Sequence, residues 1–392
     1  MPIKVNAEEF HTLSEKIPVI DVRSPKEFET GHYPGAYNIP IFNNEERAVV
    51  GTIYKRISRN DSVLKGLELV GPKLKEFAQQ AQSLAKDNQL LIYCWRGGMR
   101  SASMAWLFET VGIKTYILVG GYKAFRRAGK KMLSKTDKLI VVGGLTGSGK
   151  TETLKEIKNQ GEQVCDLEGI AHHKGSAFGA LGQEKQPTNE QFENNLIYEW
   201  FSFNLDKPIW VEDESHSIGN NWIPDELFSI MRKAPVIKME IDKKIRIKRL
   251  VDEYAGFDKK YLENCIFKIS KRLGGQHAKK ALESLEKGFL EDVADITLTY
   301  YDKSYSFGLS KRDNNTVFPV QLNSRDCIKN AGLLIEFQNN FILNKKTEVN
   351  SFGFIYFYFL TFLPSYPHFR YIAPQVKPAP NVARIILSPL FS

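Results

Sequence analysis

Two short segments hold residue types whose order and spacing can do chemistry. Cys94-Trp95-Arg96-Gly97-Gly98-Met99-Arg100 ends an apolar run with a thiol, follows it with two glycines and two arginines, and leads into a helical pattern. The glycines let the chain curl so that successive backbone N–H groups point inward. With Arg96, Arg100 and a helix N-terminus beside it, such a cradle stabilises a thiolate or holds an oxyanion. Cys94 therefore reads as a nucleophile rather than an inert core thiol. A cysteine and an arginine six positions apart suit both phosphatase and sulfur-transfer chemistry.

Gly144-Leu145-Thr146-Gly147-Ser148-Gly149-Lys150-Thr151 fills every position of the pattern GxxxxGK[ST]. It follows an expected strand and opens an expected helix, the context a phosphate-binding loop needs. Backbone N–H groups freed by Gly144, Gly147 and Gly149, with Ser148 among them, face phosphate oxygens, Lys150 adds a cation, and the Thr151 hydroxyl can reach Mg²⁺. An acidic strand end should accompany the loop. Trp210-Val211-Glu212-Asp213-Glu214-Ser215 supplies one, with Asp213 favoured over its neighbours, and Asp166 with Glu168 forms another. No metal ligand set is firmly assigned.

The elements that must position these loops are legible as a rhythm. Ile17–Val22, Leu90–Cys94 and Thr115–Val119 are short, apolar and rich in β-branched residues, and Pro72–Lys86 and Ser101–Val111 carry helical periodicity. Lys138–Gly143, Gln163–Leu167, Pro208–Glu212 and Pro235–Ile241 are further strands, and Lys150–Asn159 is a helix closed by Gly161. Thr188 and Gln191 form a capping-box pattern at the start of a helix that carries Phe192, Leu196, Trp200 and Phe203 on one face. Strands separated by helices predict α/β architecture with parallel sheets.

With 392 residues the chain exceeds what one core usually organises. The expected division is a parallel-sheet domain over 1–125, a basic linker over 126–137, a P-loop NTPase-like α/β domain over 138–345 whose later part is helical and basic, and a poorly ordered tail over 346–392. Within the tail, Phe352–Leu363 is almost wholly apolar, yet its twelve residues fall short of the about 20 that span a bilayer. The net charge of +9 suits a polyanionic partner. Cys94, Cys165, Cys265 and Cys327 have no zinc-ligand spacing, and the first residues lack the apolar core of a signal peptide, so a reducing, cytoplasmic location is expected.

Upstream of the cysteine loop, Ile20-Asp21-Val22-Arg23-Ser24-Pro25-Lys26-Glu27-Phe28 and Gly31-His32-Tyr33-Pro34-Gly35-Ala36-Tyr37-Asn38-Ile39-Pro40 closely resemble the leading signature of rhodanese domains. Tyr93 stands where cysteine phosphatases carry His. This resemblance implies that Cys94 carries a persulfide or its selenium equivalent. Beyond the P-loop, the run from Asp166 through His172-His173 to Gly179, and Trp210–Ser215 with Ile218-Gly219, complete a set similar to the bacterial tRNA 2-selenouridine synthases over roughly residues 5–340.

Membership would imply a transferase acting on the wobble 2-thiouridine of tRNA: sulfur geranylated from geranyl diphosphate, then the S-geranyl group replaced using selenophosphate. Cys94 matches the selenium-carrying cysteine, with Arg96 and Arg100 beside it. The P-loop would grip geranyl diphosphate or selenophosphate, and His172 and His173 would touch phosphate or tRNA, or simply lie at the surface, rather than chelate one ion. Arg126, Arg127, Lys130, Arg246, Lys271 and Arg272 are candidate tRNA contacts. No tightly bound cofactor and no membrane are implied, Mg²⁺ fits, and the oligomeric state is left open. The alternative is a rhodanese sulfurtransferase fused to an ATP-dependent kinase or ATPase in tRNA thiolation.

Overall fold

The computed structural model describes residues 1–343. The whole of the tail expected over 346–392, with its apolar segment Phe352–Leu363, lies outside the described residues.

Five short strands come first: β1 (Ile3–Val5), β2 (Val19–Asp21), β3 (Tyr37–Asn38), β4 (Gln89–Tyr93) and β5 (Lys114–Leu118). They form a wholly parallel sheet in the order β1-β5-β4-β2-β3. β4 is the middle strand, with Leu91 paired to Val19 on one side and Tyr116 on the other. Its near-continuous apolar run follows from that position, since a central parallel strand is covered on both faces.

A second parallel sheet follows the same plan. Its strands are β6 (Leu139–Gly144), β7 (Gln163–Cys165) and β8 (Ile209–Glu212), then, after a small antiparallel hairpin of β9 (Ser217–Ile218) and β10 (Asn221–Trp222), β11 (Val236–Ile241) and β12 (Val317–Leu322). The order β12-β11-β6-β8-β7 again puts the chemistry-bearing strand in the middle. The chain fills one side of β6 with β7 and β8, then crosses to the other side for β11 and β12. A crevice forms outside the carboxyl ends of strands at such a switch point.

Two features depart from the sequence reading. The segment after Lys243, expected to be helical, does form the helices Lys243–Tyr254, Lys259–Leu273, Gly275–Lys287 and Leu290–Leu309, but then returns to the sheet as β12. Pro319 disguises that strand, and it is tolerated there because β12 is an edge strand.

The second departure is the basic linker. Residues expected to connect two independent units form the helix Gly121–Leu133, which packs on the helix Asn189–Ser202. A Cβ on Gly129 would lie 2.1 Å from Ile197 Cγ2, so the two helices approach at glycine distance. Arg126 bonds Glu193 and Asn194 at 2.5 and 3.0 Å, and Trp200 Nε1 donates to Thr136 Oγ1 at 2.8 Å. Tyr93 and Phe125 of the first unit share one continuous core with Val141 and Leu196 of the second. The cationic residues mask an apolar stripe of Tyr122, Phe125 and Leu133 that needs a partner.

Thr188 caps its helix as expected, accepting from Gln191 N at 3.0 Å. Gln191 does not complete the box. Its side-chain oxygen accepts from His32 N at 2.8 Å, while Thr188 donates to the Thr30 carbonyl. Both polar groups tie the first unit to the second. Among the described residues no helix is long and apolar enough to cross a membrane.

Candidate active site

The middle strand of each sheet delivers one reactive loop from its carboxyl end. Cys94 follows β4, and residues 95–100 curl back into the helix Met99–Thr110. The thiol is buried, with 3 % of the residue exposed, and Sγ lies 3.3 Å from Ser101 Oγ. Trp95, Arg96 and Met99 around it are exposed. The loop is held from below by the first turn of the helix Gly121–Leu133, where Tyr122 N and Lys123 N donate to the carbonyls of Cys94 and Trp95 at 2.9 and 3.1 Å. Gly121 has φ +61°, and a Cβ there would lie 2.2 Å from the Cys94 carbonyl oxygen. Only glycine allows this approach.

The two arginines of the loop part ways. Arg96 is exposed and forms no ion pair among the described residues. Arg100 is bound to Glu27 at 2.9 Å, so it fastens the loop to the helix Pro25–Thr30 instead of presenting a free cation. Burial would raise the Glu27 carboxyl, but Arg100 and then Arg47 outweigh it and hold it below the usual carboxylate range. Beneath the loop lies an ion pair with no solvent exposure. Arg23 Nη2 is 2.6 Å from Asp21 Oδ2, and the Tyr93 hydroxyl donates to the same carboxylate at 2.7 Å. The Arg23 guanidinium stacks over Tyr122, 3.9 Å from the ring centroid. The Asp-x-Arg of the leading signature is thus the footing of the cysteine loop.

Gly144–Thr151 wraps the carboxyl end of β6 as the motif requires. Lys150 Nζ donates to the Gly144 carbonyl at 3.1 Å and lies 3.3 Å from Glu212 Oε1. Thr151 Oγ1 is 2.9 Å from an oxygen of Glu168 and 2.9 Å from an oxygen of Glu212. The Ser148 hydroxyl is buried with no partner among the described residues.

Expectation and structure differ over the carboxylates. Asp213 is taken by Arg312 at 2.6 Å and by the Tyr305 hydroxyl at 3.0 Å, and that hydroxyl also accepts from Gly144 N at 2.8 Å. Asp166 caps its own short helix by accepting from Gly169 N. The residues that face the loop are Glu212, Glu168 and Glu214, whose ligand atoms all lie within 4.8 Å of one another. Strand alternation is the signal that selects Glu212: neighbours on β8 point to opposite faces, and Glu212 pairs in register with Val142 of β6.

Three carboxylates around one ammonium are mutually repulsive. Burial first, then Glu212 and Glu214, push the Glu168 carboxyl up to about 10, and burial with Glu212 pushes Glu214 up to about 8. Glu212 is raised by burial against the opposing pull of Lys150. Burial would lower Lys150, but Glu212, Glu168 and Glu214 raise it, so it stays an ammonium.

The loop opens onto a cavity of about 950 Å³. The two histidines separate: His172 turns to the Lys185 carbonyl at 3.1 Å, while His173 lines the cavity, held neutral by burial and by Lys268. Among the proposed tRNA contacts, Lys271 and Arg272 are exposed on the cavity wall and Arg127 is exposed elsewhere. Lys130 lies near Glu193 and Glu226. Arg126 is committed to the helix interface described above. Arg246 is buried, paired with both oxygens of Asp302 at 2.9 Å and bonded to the Thr146 carbonyl at 3.1 Å. These two arginines are structural, and the second braces the P-loop.

Residues 137–330 match the family model described as the tRNA 2-selenouridine synthase AAA domain, and residues 6–128 match the rhodanese-like domain. The tRNA 2-selenouridine synthase of Shewanella sediminis is 32% identical over 337 residues, which cover 77% of this chain and 90% of that protein. The chain belongs to the tRNA 2-selenouridine synthase family. The relative from Bdellovibrio bacteriovorus is 35% identical over 353 residues, covering 78% of this chain and 92% of its own, and that from Nitrosomonas europaea is 38% identical over 249 residues, covering 60% and 63%. The cysteine loop lies within the rhodanese-like match.

Proposed function

We propose that the chain makes 2-selenouridine in tRNA in two stages, geranylating the sulfur of a wobble 2-thiouridine and then exchanging the S-geranyl group for selenium, in the cytoplasm. In the first stage the sulfur attacks the carbon bonded to the diphosphate of geranyl diphosphate. A carbon–oxygen bond breaks as the carbon–sulfur bond forms, and diphosphate leaves. In the second, the selenium of selenophosphate attacks the same base carbon and the geranyl thiolate departs, since an S-alkyl group is a better leaving group than the free thiocarbonyl sulfur; water then cleaves the phosphorus–selenium bond, releasing phosphate and leaving 2-selenouridine.

The observation that carries this reading is the composition of the P-loop cavity in a member of this family. Lys150 and the P-loop line it, and the exposed cations Lys268, Lys271 and Arg272 line the same space, as an RNA backbone bearing the target base requires. Lys150 and the backbone amides bind the diphosphate and stabilise the charge that develops on it as it leaves. Neutral His173 faces the same space as a hydrogen-bonding group. The oxygen-only set of Glu168, Glu212, Glu214 and the Thr151 hydroxyl fits a hard divalent cation such as Mg²⁺. Such an ion would add charge neutralisation at the leaving diphosphate. Cys94, with Arg96 beside it, serves the selenium stage.

The test is mass spectrometry of digested thiolated tRNA after incubation with geranyl diphosphate and selenophosphate, separately and together. Geranyl diphosphate alone should yield the S-geranyl nucleoside, and both should yield 2-selenouridine. Cys94→Ser should keep the first product and lose the second. Formation of neither by the unaltered protein refutes the reading.

A further inference from the structure

A second cleft adjoins the P-loop cavity and differs from it in chemistry. Phe178, Leu250, Tyr254, Leu262, Val293 and Ala294 line it, so its walls are almost wholly apolar. It shares Thr146, Ser176, Leu250, Tyr254 and Tyr301 with the phosphate cavity. The two spaces therefore meet at the P-loop itself. Three of the five hydroxyls that line the cleft are already used. Thr297 Oγ1 bonds back to the carbonyls of Val293 and Ala294 at 2.8 and 3.1 Å, the Tyr301 hydroxyl accepts from Ala177 N at 3.3 Å, and Ser176 Oγ accepts from Phe178 N at 3.1 Å. A polar ligand would gain few hydrogen bonds there and would lose those it makes to water. Hydrocarbon alone is favoured.

The cleft has a volume of about 60 Å³. At roughly 10–15 Å³ for each water accommodated, that is room for about four to six waters, the scale of a branched five-carbon group. It is too small for a ten-carbon chain.

We propose that this cleft binds the terminal isoprene unit of a prenyl diphosphate whose head lies on the P-loop, and that it makes the enzyme select ten carbons over five. The inference rests on the prenylation reading above and adds a subsite to it. The proximal five carbons would cross the shared walls at Leu250, Tyr254 and Tyr301, and the distal five would fill the cleft against Ala294 on the helix Leu290–Leu309. Ala294 sets the depth because its methyl group is the smallest side chain on that wall.

Calorimetry with the full chain tests the subsite, using inorganic diphosphate, dimethylallyl diphosphate and geranyl diphosphate as probes. For the unaltered protein geranyl diphosphate should bind at least tenfold tighter than the five-carbon compound, as burying the added apolar groups requires. Ala294→Phe, and the milder Ala294→Leu should the first not fold, should cut that advantage below threefold and leave inorganic diphosphate unchanged. An unaltered protein with no chain-length preference, or a folded variant that keeps it, overturns the proposal. Failure of the prenylation reading is separately visible: chain-length-dependent binding with no geranyl transfer to thiolated tRNA removes the reaction and spares the subsite.

Discussion

Replacing Gly121 by alanine should damage the cysteine loop while sparing the P-loop, and the cost can be worked from two independent contributions. The backbone at Gly121 has φ +61°, in the left-handed region, where an L-residue costs about 1–2 kcal/mol. The new methyl carbon would also lie 2.2 Å from the Cys94 carbonyl oxygen, 2.4 Å from Gly97 N and 2.9 Å from Arg96 N. All three are backbone atoms and cannot rotate aside, so the crowding adds about 1–3 kcal/mol. The sum is about 2–5 kcal/mol. Gly35→Ala separates the two contributions, because Gly35 has φ +76° with nothing within 4 Å of its would-be Cβ, and should cost only the first. Urea denaturation of both variants measures the difference, and tRNA digestion reads the function. Gly121→Ala should lose selenium incorporation and keep geranylation. Equal destabilisation of the two variants, with selenium incorporation intact, would refute the claim that this turn positions Cys94.

The three carboxylates of the P-loop cavity predict an unusual pH response. Their folded pKa values are raised above the usual 4.5, so in chelated protein the folded state holds protons that the unfolded chain has lost. Their contribution to stability is complete below about 4.5 and falls as pH rises through 8 toward 10. Melting temperatures of wild type and Glu212→Gln should therefore diverge between pH 6 and 9 in the direction of relief by the variant, and parallel curves would count against the cluster. Glu27 has the opposite sign: its folded pKa is depressed, so its contribution is present above 4.5 and disappears as pH falls through the lower folded value. Glu27→Gln should be destabilising at pH 7 and lose that penalty as pH falls below the depressed folded value, and a penalty that persists at low pH would show that the Arg100 pair is not its source.

Much of this molecule was determined locally. The strands β2, β4 to β8 and β11, the order of the two reactive loops and their placement at strand ends follow from apolar runs of strand length bounded by turns. Those are signals within ten residues of each other, and an eight-residue P-loop carries its own geometry in its glycines. Even the helix Lys150–Asn159 begins and ends where its residues say it should.

What needed the tertiary structure was partnership between distant residues. Along the chain Asp213 is favoured over Glu212, and the positions of Arg312 and Tyr305, about a hundred residues later, take Asp213 away from the phosphate loop. Arg126 and Arg246 read as free cations until Glu193 and Asp302 are brought to them. The helix Gly121–Leu133 looks like a linker because its charge is visible in sequence, whereas the fit of Gly129 against Ile197 is not. A side chain's charge is a property of its type. Whether that charge is spent on the fold or left for a ligand depends on what the rest of the chain packs against it.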